Sequence, residues 1–238
     1  MVSGDLILMG PSEQENMRTV ALVSQKGGVG KTTLAINLAA AAQRDGLQVV
    51  IADTDPQQST YEWYRGRREQ HPLPYVAQVF PKSIGDVIEK SERNGADLLV
   101  IDTSPNSTED SLAVAERADF LIVPCAPSFI DLRALKRTEK IIRLSDKPAF
   151  AVLNLCPPVG DDAEQAEQAL TKLGYRVCPH RIVNRAAARR AYALDQSVFE
   201  FEPSGKAAAE FWSVYKFSCT HGNKPPMRTR IGEEARSA

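Results

Sequence analysis

The chain is poor in the residues that build metal and redox centres. Its 238 residues include four cysteines and three histidines. Cys125, Cys156, Cys178 and Cys219 are widely spread and form no C-x-x-C pair, so the spacing of a zinc site or a dithiol motif is missing. Cys125 and Cys156 close apolar runs, where a buried thiol acts as a small hydrophobe. Four separated thiols suit a reducing cytoplasm better than a disulfide scaffold. No apolar run approaches the roughly 18 residues of a membrane span. "DLILMG" near the start is too short for a signal-peptide core and lacks a basic flank. Neither sign of charge is in excess: 29 Lys and Arg stand against 30 Asp and Glu, a net charge of -1. Any contact with nucleic acid must therefore run through a local patch. Internal repeats and an obvious linker are also missing, and the length suits one large α/β domain.

What is present is alternation. Short β-branched runs ("TVALVS", "QVVIAD", "PYVAQVF", "DLLVIDT", "DFLIVPC", "AFAVLNLC") are separated by helical patterns. The first of these helices, "TTLAINLAAAAQRDG", is stopped by Gly46, and "YRVCPHRIV" reads as a further strand. Strands alternating with helices predict crossover units, hence a single-domain α/β fold with a mainly parallel twisted sheet covered by helices on both faces. Residues 1–17 read as a flexible leader and 218–238 as a flexible tail without apolar period, leaving 18–217 as the domain. Ligands of such sheets bind at the carboxyl ends of the strands, and the unusual polar clusters fall there.

"SQKGGVGKTT" follows the first strand. Gly27, Gly28 and Gly30 let the backbone aim its N–H groups at phosphate oxygens, and the helix from Lys31 adds its positive end. Gly30, Lys31 and Thr32 fit the end of G-x-x-x-x-G-K-[ST], in which the lysine reaches the β- and γ-phosphates and the hydroxyl ligates Mg²⁺. Two features depart from that pattern: Gln25 stands where its first glycine should be, and a second lysine, Lys26, precedes the glycine pair. A phosphate loop needs carboxylates for its metal, and Asp53 and Asp102 close two apolar strands. Asp55 lies two residues farther out, placed to orient an attacking water. A lone strand-end aspartate is commonly a cap or turn residue; three beside such a loop point to metal and water chemistry.

"KGGVGKTT", "DTDPQQS" and "VIDTSP" together closely resemble the deviant Walker A ATPases of the ParA/MinD group, over roughly Arg18 to Tyr215. "VPCAPSFIDLRAL" and "SVFEFEPSGKAAAEF" are similar to the ParA branch, the partition ATPases. In that family the signature begins at the lysine, so Gln25 is no defect. With no helix-turn-helix domain ahead of the loop, the chain resembles a short ParA without operator binding. The resemblance implies that Lys26 crosses the interface of an ATP sandwich dimer to the partner's nucleotide, somewhat like an arginine finger in trans. It places Gly27, Gly28, Val29, Gly30, Lys31, Thr32 and Thr33 around the phosphates, Asp55 on the water, Thr32 and Asp102 at Mg²⁺, and Asn154 at the adenine edge. Read from the residues alone, Asn154 is equally a turn residue after a strand.

The family divides by partner. "YRVCPHRIVNRAAARRAYA" carries Arg176, Arg181, Arg185, Arg189 and Arg190 with no acid among them, and Arg185 and Arg189 share a helix face. Such a face can hold DNA phosphates without reading bases, Arg181, Arg185, Arg189 and Arg190 being the candidate contacts. It can equally be a solvated charged face. Helix 131–146 offers a second basic side through Arg133, Arg137 and Lys140. A membrane-binding MinD-like switch needs an amphipathic carboxyl-terminal helix, which the two prolines of "NKPPMRTR" break. An ATP-dependent ligase such as a cobyrinate amidase or dethiobiotin synthetase needs a substrate pocket for which no insertion is evident. An iron-protein reductase needs cluster cysteines after Asp102, and none is there. The expectation is thus a cytoplasmic, nucleoid-associated ATPase using ATP and Mg²⁺. It dimerises with ATP, binds double-stranded DNA nonspecifically and answers to a ParB-like adaptor on its cargo. That cargo is a plasmid, a chromosome or another large body such as a carboxysome or chemoreceptor array.

Overall fold

Each of the first six apolar runs forms a strand. The computed structural model describes residues 17–105 and 107–221. The chain runs β1 (Arg18–Leu22), α1 (Lys31–Arg44), β2 (Val49–Asp53), α2 (Ser59–Arg67), β3 (Tyr75–Gln78), α3 (Ile84–Arg93), β4 (Leu98–Asp102), α4 (Thr108–Ala115), β5 (Phe120–Cys125), α5 (Phe129–Ser145), β6 (Ala149–Leu153), α6 (Asp162–Lys172), α7 (Ala186–Ala193), α8 (Val198–Phe201) and α9 (Lys206–His221). The strands form one parallel six-stranded sheet in the order β3-β2-β4-β1-β5-β6. Every residue of β1, β4 and β5 is buried, as continuous apolar runs require when helices cover both faces.

Alternation along the strands sends their side chains to the two faces of the sheet, and three core clusters form there. Val20, Leu22, Ile51, Val100 and Ile122 face a layer made by α1, α7, α8 and α9. Ala21, Ala52, Leu99, Ile101 and Leu121 face α3, α4 and α5. Burying each large aliphatic side chain contributes about 1.5–3 kcal/mol. Pro124 is tolerated inside β5 because β1 pairs with that strand only through Ile122, before the proline is reached. All four cysteines are free and buried, Cys178 and Cys219 in the first layer and Cys125 and Cys156 in a third cluster with α5 and α6.

The structure departs from expectation at three places. "YRVCPHRIV" is no strand. It touches the sheet through two isolated bridges, Ala151 with Val177 and Cys156 with Val183. Pro179 between them has no N–H to give a ladder, and His180 and Arg181 bow outward, exposed. The second departure is at the tail boundary, where α9 continues to His221. Ser218 and Cys219 are 5% and 2% exposed; Cys219 lies one turn beyond Tyr215 on the face that covers α1, and the neighbouring small polar residues disguise the period. Met17, assigned to the leader, is likewise 6% exposed and packed in the core. The rest of the expected leader and tail, and the side chain of Arg133, lie outside the described residues.

Candidate nucleotide site

The site is assembled at the carboxyl edge of three neighbouring strands. In the sheet β4 lies between β2 and β1, and Asp102 is in register with Asp53 on one side and Leu22 on the other. The loop after β1, the carboxylate ending β4 and the turn after β2 therefore share one corner. Backbone bonds weld it: the amide and hydroxyl of Thr54 both donate to the Asp102 carbonyl, at 2.9 and 2.8 Å, and the Thr103 hydroxyl donates to the Leu22 carbonyl at 2.7 Å.

The loop itself turns through Gly28 and Gly30, at φ of 76° and 81°. Gly30 is required twice over. Its left-handed backbone caps α1, and a β-carbon there would come within 2.5 Å of Asn154 Nδ2. That amide donates to the Val29 carbonyl at 2.7 Å and is 2% exposed. Asn154 thus braces the loop from the end of β6, a role that neither reading of the sequence contained. Val29 is buried, while Gly27 and Gly28 are exposed.

The two lysines differ in placement. Lys31 is 6% exposed and its Nζ donates to the Ser24 carbonyl at 3.3 Å, inside the curve of the loop. Burial holds its ammonium below the ordinary lysine range, with Asp102 and Asp55 pulling the other way. Lys26 is half-buried on the outer turn beside the exposed glycines. Gln25, in the position of the usual first glycine, is a tie. Its side chain donates to the Ser107 carbonyl and the Ser111 hydroxyl and accepts from the Thr108 hydroxyl, while its backbone amide donates to Thr138 Oγ1 in α5. A glycine could make none of the side-chain bonds to α4.

Asp102 is 1% exposed, and its Oδ2 accepts the hydroxyls of Thr32 and Thr60, each at 2.7 Å. Burial pushes this carboxyl up to about 6, against the lowering effect of the two hydroxyls. Asp53 is spent differently. Its oxygens accept the amides of Asp55 and Tyr61 at 3.0 and 2.9 Å, so it organises the turn into α2; burial raises its pKa too. Asp55 is half-buried and accepts the Gln57 amide at 3.0 Å. Thr33 is half-buried on α1, and its carbonyl accepts from Asn37 Nδ2 at 2.8 Å. One hydroxyl beside one buried carboxylate is a hard oxygen donor set, which suits Mg²⁺ shared with phosphate oxygens; Thr32 and Asp102 supply it.

The arginine cluster is not one patch. Arg181 pairs with Glu164 at 2.6 Å, and Arg185 makes a two-point contact with Glu210 at 2.6 and 2.9 Å. Arg176 lies over the Phe217 ring. Arg185 precedes α7 as its cap residue and turns away to α9. The exposed cations left on α7 are Arg189, which donates to Asn184 Oδ1 at 2.5 Å, and Arg190. The turn after α7 is fastened to α2. Arg67, 5% exposed, pairs with Glu200, donates to the carbonyls of Asp195, His71 and Leu73, and stacks on Trp63. Tyr192 Oη donates to the Ser59 carbonyl at 3.1 Å.

Comparison with known proteins agrees with this geometry. Residues 20–198 match the model of the CobQ/CobB/MinD/ParA nucleotide binding domain. The chain is 31% identical over 211 residues to maintenance of carboxysome distribution protein A of Gloeobacter kilaueensis, covering 87% of this chain and 94% of that protein. It is 28% identical over 227 residues to the chromosome-partitioning ATPase Soj of Thermus thermophilus, covering 81% and 91%. Among solved structures, the Mg-ADP complex of the septum site-determining protein MinD from Pyrococcus horikoshii superposes with a TM-score of 0.66 at 16% identity, over 86% of this chain and 96% of that one. With the phosphate loop, the strand-end carboxylates and the sheet order in place, the chain belongs to the MinD/ParA family of nucleotide-binding ATPase domains.

Proposed function

We propose that this protein is an ATP-driven positioning switch, a monomer that becomes a sandwich dimer on binding ATP and Mg²⁺ and releases its cargo track on hydrolysis. The observation that carries this reading is the unequal placement of the two loop lysines. Lys31 lies inside the curve of its own loop, while Lys26 sits on the outer turn, where a second nucleotide-bearing protomer can approach. Lys31 and the loop amides hold the phosphate chain, and Asp55 orients the attacking water. Thr32 and Asp102 hold Mg²⁺, which when bound neutralises charge on the β- and γ-oxygens; Asp53 supports them through the backbone. Asn154 keeps the loop open to the nucleotide and lines its base end.

The dimer binds DNA without sequence preference through Arg189 and Arg190 of α7, doubled by the two-fold axis. Arg181 and Arg185, neutralised by Glu164 and Glu210, contribute less. An adaptor protein on the cargo stimulates hydrolysis and resets the cycle. The relatives named above are a carboxysome-distribution protein and a chromosome-partitioning ATPase, and this chain positions a cargo of that size class. Retention on double-stranded DNA with ATP, ADP or no nucleotide tests it. Retention is expected with ATP alone, lost in Arg189→Glu/Arg190→Glu while ATP-dependent dimerisation persists. Equal retention without nucleotide, or an unaffected double variant, overturns the DNA assignment.

A further inference from the structure

Thr60 has no place in the phosphate loop or in either aspartate motif. It is wholly buried in the first turn of α2, where a valine would fill the same volume. Its hydroxyl nevertheless donates to Asp102 Oδ2 at 2.7 Å, on the same oxygen and at the same distance as Thr32 of the phosphate loop. One residue on, the Tyr61 amide donates to Asp53 Oδ2 at 2.9 Å. The first turn of α2 is thus docked on both strand-end carboxylates. The turn leading into it carries Asp55, whose own amide is held by Asp53 Oδ1 and whose carbonyl accepts the Gln58 amide at 2.9 Å.

We propose that Thr60 is a positioning residue of the metal site: its hydroxyl fixes the Asp102 carboxylate against Thr32 and ties the Asp55 turn to that carboxylate. This rests on Thr32 and Asp102 being the Mg²⁺ holders. A carboxylate oxygen that accepts one hydroxyl from α1 and one from α2 is restrained by two elements, so Mg²⁺ meets a donor set already aligned. Outer partners of this kind typically alter metal affinity 10–100-fold when removed. Because the second hydroxyl comes from α2, the same bond keeps the water-orienting aspartate in step with the metal.

The test is binding of a fluorescent, non-hydrolysable ATP analogue while Mg²⁺ is titrated, beside binding in EDTA. Thr60→Val is expected to weaken the apparent Mg²⁺ affinity by about 10–100-fold while binding in EDTA changes less than about twofold. Thr60→Ser, which restores the hydroxyl, is expected to return it to near the wild-type value. Thr60→Ala provides a second loss of the hydroxyl, with the unfolding midpoint recorded for each variant. Wild-type Mg²⁺ dependence in a folded valine or alanine variant overturns the proposal, as does a serine variant that loses as much as the valine one. Asp102→Asn separates the two levels. If it abolishes Mg²⁺ dependence and Thr60→Val does not, the role of Thr60 alone is overturned. If it too leaves that dependence unchanged, the metal assignment fails and the Thr60 proposal with it.

Discussion

Asp102 shows how a buried strand-end carboxylate weakens the protein that carries it. Its pKa in the folded protein, about 6, lies above the ordinary 3.8, chiefly because the charged form is buried. The sign follows from linkage. A raised carboxyl contributes its stability in full below pH 3.8, and that contribution is lost as pH rises through about 6. Above that range the metal-free protein carries a buried charge costing about 3 kcal/mol. Asp102→Asn removes the charge, so in denaturant titrations without Mg²⁺ it should be more stable than wild type at pH 7.5 and indistinguishable near pH 4. A less stable variant at pH 7.5 would contradict this account. Residues of this kind are half legible in sequence. Asp102 is conspicuous because it ends an apolar strand, and Lys31 because it follows a glycine run. Gln25, Thr60 and the brace made by Asn154 are not, since their partners stand 82, 42 and 125 residues away.

Among the elements, α2 and the turn before α8 are locked by Arg67. Removing a partner from a buried ion pair costs about 3–5 kcal/mol. Removing Glu200 strands the Arg67 guanidinium, whose side chain is 3% exposed, whereas removing Arg67 leaves a carboxylate with 31% of its side-chain surface in water. The carbonyl bonds and the Trp63 stack still hold Arg67 in the first case and are lost in the second. Glu200→Ala and Arg67→Ala should therefore each cost about 3–5 kcal/mol by urea unfolding. A loss below about 1 kcal/mol in either variant would mean that the pair locks nothing. Five of the six strands are readable because both of their faces are buried and their composition says so; β3, at the sheet edge, buries only Val76 fully and is marked by its β-branched and aromatic residues. The arginine cluster misleads because a sequence window shows only neighbours in the chain. The acids that neutralise Arg181 and Arg185 arrive from α6 and α9. The two-bridge segment around Val177 and Val183 misleads for a similar reason: β-branched residues mark a strand only where an uninterrupted row of donors can be supplied.

At the scale of the whole molecule, association is the reporter of nucleotide state in a switch of the proposed kind. Lys26→Gln should bind ATP yet remain monomeric by light scattering with ATP and Mg²⁺. Asp55→Ala should remain dimeric, because the orientation of the attacking water is lost while the phosphate contacts stay. An ATP-dependent dimer in the glutamine variant would remove the trans role from Lys26. Normal turnover in the alanine variant would move the water-orienting role elsewhere.

The four buried thiols offer a further use. Burial pushes Cys156 and Cys178 up to about 11, far from the thiolate that alkylating reagents attack. Cys125 lies in a central strand and Cys219 near the end of the last helix. In the native protein a maleimide dye would thus find a quiet background, so a single cysteine placed on the surface beside Lys26 could carry a distance probe with no native thiol removed. With reagent in excess, the order in which the four native thiols yield would time the local openings of the chain, strand by strand and helix by helix.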